Sequence, residues 1–228
     1  MKNACNHDNG VSCVSTVPIF NHLTVEQMAE VQSLILTKSF KKGESIYQPN
    51  TKADALYVIS KGRVRIYRIS EDGKEQLIRI LNPGDFTGEL TLFNESVHDA
   101  FASAMMDTNI CMIMKLDLQA LLNHYPQISM KLLAELSKRL SESEVQTTRV
   151  STQKVETRLA IYLAECMDPS SNTNVITLGM SKKDLASYLG TSPETISRKL
   201  FEFEEAGYIR QISNQEIEII DIDQMLMI

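Results

Sequence analysis

The segment MSKKDLASYLGTSPETISRKLFEFEEAGYIR (180–210) contains the residues best suited to a defined chemistry. Ile196, Leu200 and Phe203 recur at i, i+4 and i+7, so one helix face is apolar. Glu194, Ser197 and Arg198 then fall on the opposite face, in the first two turns. Arginine can bridge N7 and O6 of guanine, glutamate can accept from the amino group of cytosine, and serine can meet a base or a phosphate. Ser192 is a cap, Pro193 suits the first helical position, and Gly190 makes a tight turn after an earlier short helix around Leu185, Ala186 and Leu189, with Thr191 beside it a further candidate for DNA contact. Two helices joined in this way are the helix-turn-helix pattern of DNA-binding proteins. An αα-hairpin packed in a core gives the same periodicity, and Glu194 also suits a helix N-terminus. Lys182, Lys183 and an outward Arg198-Lys199 pair favour DNA over that alternative. Strands at 208–211 and 216–220, turning at Ser213-Asn214, would add a wing.

Thiols are the other reactive groups. Cys5, Cys13, Cys111 and Cys166 are too few for a secreted disulfide scaffold. Cys5 and Cys13 lie in a polar arm with no core around them, so packing does not account for them. His7, His22, His98 and His124 are scattered, and no Ser-His-Asp, metal-ligand or Walker-type constellation supports an enzyme. The net charge of −6 opposes a surface that neutralises phosphate everywhere, which leaves a local basic face as the requirement for DNA.

The elements that must position these groups follow from patterning. At 228 residues, 43% of them hydrophobic, the chain has enough apolar surface for one or two domains. No run approaches the ~18 apolar residues of a membrane helix, and the N-terminus lacks the apolar stretch of a signal peptide. We therefore expect a cytoplasmic protein with no membrane partner. Residues 24–36 read as a helix capped by Thr24, with Gln27 three residues on. From 38 to 116 come short β-rich runs, ALYVIS (55–60), RVRIYRI (63–69), QLIRIL (76–81) and ICMIMKL (110–116). Gly62, Asp72-Gly73 and Pro83-Gly84 divide them, which predicts a small antiparallel barrel or roll. In the last run the Cys111 side chain should point away from Ile110 and Met112, out of the roll core. A short helix covers 117–125. A long one follows Pro126, with Met130, Leu133, Leu136 and Leu140 as either a dimer seam or a face packed on the roll. Residues 152–167 are a further amphipathic helix. The expected class is α+β. The expected organisation is a cysteine-bearing arm (1–17), an antiparallel β-roll sensor (18–125), a dimerisation helix (126–148) and a winged helix-turn-helix domain (149–228).

DALYVISKGRVRIYRISEDGKE, LNPGDFTGELTLF (81–93), the long helix and GTSPETISRKL (190–200) occur jointly and in this order. Together they resemble the family of the cyclic-AMP receptor protein and the fumarate-nitrate reductase regulator, across about residues 18–222. The resemblance implies a homodimeric transcription regulator that acts with RNA polymerase on palindromic promoter DNA. Glu194, Ser197 and Arg198 match the Glu-x-x-Ser-Arg of the fumarate-nitrate branch, which implies TTGAT-like half-sites. In the cyclic-nucleotide pocket of such proteins, Gly88, Glu89 and Leu90 match, but Asp99-Ala100 stands where an Arg-Ser pair holds the phosphate. A carboxylate there repels a cyclic phosphate, so cyclic AMP is not the expected effector. The fumarate-nitrate regulator holds an iron–sulfur cluster on four cysteines. Cys5, Cys13 and Cys111 correspond in region, one thiol short. His7 or Asp8 could complete a metal site. A disulfide switch needs only two thiols, such as Cys5 or Cys13 with Cys111. A small metabolite in the roll, with incidental cysteines, is the alternative. Cys166, beside Leu163, reads as a small packing residue.

Overall fold

The computed structural model describes residues 15–89, 97–168 and 173–228. Contacts divide the chain into two compact units, Met1–Lys74 with Ile78–Leu140 and Glu75–Leu77 with Ser141–Ile228. The long helix α3 (Pro126–Thr152) contributes to both. No helix among the described residues is long and apolar enough to cross a membrane.

The N-terminal unit opens with helix α1 (Val25–Ser33), closed at its start by a full capping box between Thr24 and Gln27. The helix is shorter than its periodicity suggests, because Leu36 already belongs to strand β1 (Leu36–Phe40). Seven more strands follow: β2 (Ser45–Tyr47), β3 (Ala55–Lys61), β4 (Val64–Ile69), β5 (Glu75–Leu81), β6 (Phe86–Thr87), β7 (Phe101–Ala104) and β8 (Thr108–Met114). They form two antiparallel four-stranded sheets, β1-β8-β3-β6 and β2-β7-β4-β5. Helix α2 (Lys115–His124) and the first turns of α3 complete the unit.

Strands β3 and β8 read as nearly unbroken apolar runs because both of their faces are covered. Ala55, Tyr57, Ile59 and Ile110 join Val64, Ile66 and Leu81 in the roll interior. The alternate residues Leu56, Val58, Cys111 and Ile113 enter a second core with Val17, Ile19, Phe20, Leu118, Ile128 and Leu132. Cys111 therefore points out of the roll interior, as alternation requires. It does not reach the surface, because the segment around Val17–Phe20 and three helices cover that face, and it is 1% exposed.

Turns pin the roll. Gly62 has φ +92°, and a Cβ there would lie 2.4 Å from Thr108 Oγ1 and 2.7 Å from the Asp107 carbonyl. We expect Gly62→Ala to cost about 1–3 kcal/mol through this overlap and the left-handed backbone, measured as a lowered urea midpoint of the N-terminal unit.

The C-terminal unit packs helix α4 (Val155–Glu165), strand β9 (Val175–Thr177), helices α5 (Lys182–Tyr188) and α6 (Pro193–Glu205), strands β10 (Ile209–Gln211) and β11 (Glu216–Ile219), and helix α7 (Ile222–Leu226) around one apolar core. The sheet order is β10-β11-β9, so the expected two-stranded wing has a third strand before the helix pair.

Candidate nucleic-acid interface and sensor core

Local rules build the helix pair. Ser181 accepts from the Asp184 backbone N–H at 3.1 Å and starts α5. Ser192 accepts from the Thr195 N–H at 3.2 Å and starts α6, with Pro193 in the first turn. Between them the Thr191 N–H donates to the Ala186 carbonyl at 2.9 Å, which closes the turn. Ile196, Leu200 and Phe203 are buried in the core, and Glu194, Ser197 and Arg198 are exposed. The structure thus places the three expected reading residues on one open face. The Glu194 carboxyl is held below the ordinary carboxylate range by its own backbone N–H and then by the Ser192 hydroxyl. It is therefore an acceptor at neutral pH, as pairing with a cytosine amino group demands. Arg198 Nε lies 3.7 Å from Glu202 Oε1 on the next turn, and its head remains largely solvated.

Two lysines differ from expectation. Lys199 is not outward with Arg198. It turns toward α4, where its Nζ lies 3.3 Å from Glu156 and 2.7 Å from Glu202. One residue beyond Arg198 is a rotation of about 100°, which carries Lys199 off the reading face. Lys182 is partly buried, and its Nζ donates to Gln211 Oε1 at 3.1 Å. Gln211 in turn donates to Glu204 at 3.0 Å, so Lys182 helps fasten α5 and α6 to β10. Lys183 is exposed and Thr191 half-buried at the turn.

In the N-terminal unit Gly88 has φ +91°, and a Cβ there would meet the Ala55 carbonyl at 2.5 Å, so this position admits only glycine. Glu89 beside it is 3% exposed. Its Oε1 accepts from Arg79 Nη2 at 2.9 Å and from Arg139 Nη1 at 2.8 Å. Its Oε2 is buried with no partner among the described residues. Arg139 also lies 4.0 Å over the Phe86 ring and bonds Glu135 at 3.3 Å. Glu89 thus ties β5 to α3 through two cations. Sequence reasoning missed both arginines. The available signal was an arginine inside the otherwise strand-like run QLIRIL. Asp99 is exposed and pairs with Arg68, while Ala100 is buried. Leu90 lies outside the described residues.

Sequence alone assigns His98 no catalytic role, and the structure gives it a packing one. Its ring stacks on Tyr47 at 3.7 Å, and Tyr47 bonds Thr87 at 2.8 Å. Burial holds the His98 pKa below the ordinary value, against the smaller opposing pulls of Asp54 and Asp99. Between the two values the unfolded chain binds more protons than the folded one. Stability of the roll should therefore fall as pH drops through about 6.5, the ordinary histidine value, and level off below the folded pKa. Thermal melts across that range check this, and His98→Phe should flatten the slope.

Met130, Leu133 and Leu140 are exposed on α3, and Leu136 is half-buried against the second core. Cys111 is disulfide-bonded. Cys5, Cys13, His7 and Asp8 lie outside the described residues. Cys166 is a free thiol at the C-cap of α4, packed on the C-terminal core, and burial pushes its pKa up.

A roll with a buried acidic cradle, a long helix with an apolar stripe and a helix-turn-helix with a three-stranded sheet are the architecture of a DNA-binding transcription regulator. Comparison with known proteins specifies the kind. Residues 37–125 match the cyclic nucleotide-binding domain and residues 157–228 the Crp-like helix-turn-helix domain. The chain is 32% identical over 214 residues to the probable transcriptional regulator flp of Lacticaseibacillus casei, covering 94% of this chain and 96% of that one. It is 28% identical over 193 residues to the cyclic AMP receptor protein of Thermus thermophilus, covering 85% and 88%. The structure of FixK2 from Bradyrhizobium japonicum superposes with a TM-score of 0.73 at 26% identity, covering 84% and 95%. The chain belongs to the Crp/Fnr family, whose members are transcription regulators and not enzymes, bind DNA through the helix-turn-helix and act as dimers.

Proposed function

We propose that this chain is a homodimeric regulator that reads a palindrome of TTGAT-like half-sites and is gated by the oxidation state of Cys111. The observation that carries the gate is the position of that sulfur. Cys111 shares one apolar core with Ile128 and Leu132 of α3, so a bond made there acts on the packing of the helix with the apolar stripe. Oxidation joins Cys111 to Cys5 or Cys13, and the two thiols lose two protons and two electrons to an oxidant such as hydrogen peroxide. An all-cysteine [4Fe–4S] cluster fits poorly, because Cys166 belongs to the core of the C-terminal unit and only three thiols remain. A cyclic phosphate also fits poorly. Ala100 has no side-chain donor, and the Asp99 carboxylate would repel it. A second reading, control by a small metabolite, is supported by the buried Oε2 of Glu89, which has no partner among the described residues.

Thiol titration and DNA affinity of the full chain, before and after peroxide, test the gate. Oxidised wild type should lose two thiols and change its affinity, Cys111→Ser should not respond, and cyclic AMP should have no effect. Anaerobic protein should contain no iron or sulfide. If Cys111 stays reduced and peroxide leaves affinity unchanged, the metabolite reading replaces this one. DNA reading is tested separately. Arg198→Ala should weaken specific binding by about 1–3 kcal/mol at one base pair of each half-site and relax its guanine preference, in titrations of single-base operator variants.

A further inference from the structure

Helix α6 carries one more side chain on its reading face. Phe201 stands at i+7 from Glu194 and i+3 from Arg198, about 20° from the Glu194 line. It is 58% exposed, whereas Phe203, two residues on, is buried in the core. The four positions 194, 197, 198 and 201 have the i, i+3, i+4, i+7 spacing with which the reading helix of a homeodomain, a helix-turn-helix variant, presents its base-contacting side chains. Phe201 lies about 4.5 Å beyond Arg198 along the axis, on the order of one base step further out. Among the base edges of the major groove the only apolar group is the thymine methyl, and phenylalanine is one of the side chains that contact it. Nearby Glu202 is engaged by Lys199 and Arg198, which moderates the negative charge that this turn would bring toward DNA.

We propose that Phe201 is a fourth specificity-determining residue, which selects thymine by its methyl group at the flank of the base pair read by Arg198. This rests on the DNA-reading function assigned above. The test uses the full chain and a palindrome selected by the wild type from a random duplex pool. Each thymine is replaced in turn by uracil, which removes only the methyl. Wild type should lose about fourfold in affinity per half-site at one thymine, the effect of one buried carbon group. Phe201→Ser should bind the thymine and uracil duplexes equally, and Phe201→Leu should retain part of the discrimination. Both variants should keep the wild-type mass. Identical uracil profiles for wild type and Phe201→Ser, or an altered oligomeric mass for Phe201→Ser, overturn the proposal. The Arg198→Ala titration separates the two levels. If Arg198→Ala relaxes guanine preference while the uracil profiles coincide, only the role of Phe201 fails. If the pool yields no preferred sequence, DNA reading fails and takes this proposal with it.

Discussion

Leu133→Glu should convert the protein to a monomer at micromolar concentration and reduce its affinity for the full palindrome by about 10²–10⁴-fold. Leu133 is 59% exposed in the protomer, so the change leaves no cavity and should not unfold it. In a twofold interface each residue on the axis approaches its own copy, and one substitution thus introduces two carboxylates. Juxtaposed like charges cost several kcal/mol. The DNA effect follows from linkage. With two heads joined, the second half-site is engaged at an effective concentration set by the dimer, and that advantage disappears with the monomer. Sedimentation and circular dichroism would report mass and fold, and titration against full and half operators would report affinity. A dimeric Leu133→Glu protein with unaltered palindrome affinity would place the seam elsewhere.

Glu89→Ala should destabilise the N-terminal unit by about 3–5 kcal/mol, because removing one partner of a buried ion cluster leaves uncompensated charge. Arg79 and Arg139 would both lose their shared acceptor, with Arg139 only 15% exposed. Hydrogen exchange of the β3 and β8 amides should accelerate accordingly, and the core amides of the C-terminal unit should not change. Glu89→Gln with Arg139→Met should recover part of the loss, because the buried cation goes with its partner. If Glu89→Ala leaves exchange unchanged, water or another group is satisfying those guanidiniums.

The legible parts of this molecule are those specified by neighbours in the chain. The Thr24 capping box, the Ser192 cap with Pro193 and the i, i+4, i+7 run Ile196, Leu200, Phe203 are each decided within one or two helical turns. The reading face of α6 follows from them by rotation alone. The strands β2, β6 and β7 are two to four residues long, too short for a period to show. Strand β1 was hidden because Leu34 and Ile35 continue the helical spacing of α1 up to the point where the backbone changes. The Arg79–Glu89–Arg139 cluster spans contacts 10 and 50 residues apart, and no local pattern encodes it. The orientation of Lys199 depends on Glu156, more than forty residues earlier. Cys111 shows the limit of alternation, which reports which side a residue faces but not whether something covers that side.

Strands β3 and β8, shared between two apolar cores, have a consequence for how the N-terminal unit comes apart. Neither core can be dissolved while the other persists, since each would strip one face of the same strands. The roll and its helical cover should therefore melt as a single cooperative block with matched exchange rates. The same arrangement makes the reading frame of β8 a structural quantity. Inserting one residue before Ile110 would send Cys111 and Ile113 into the roll and Ile110 and Met112 under the helices. Substitutions in these strands can be repacked one by one, whereas a one-residue insertion or deletion exchanges the two interiors at once.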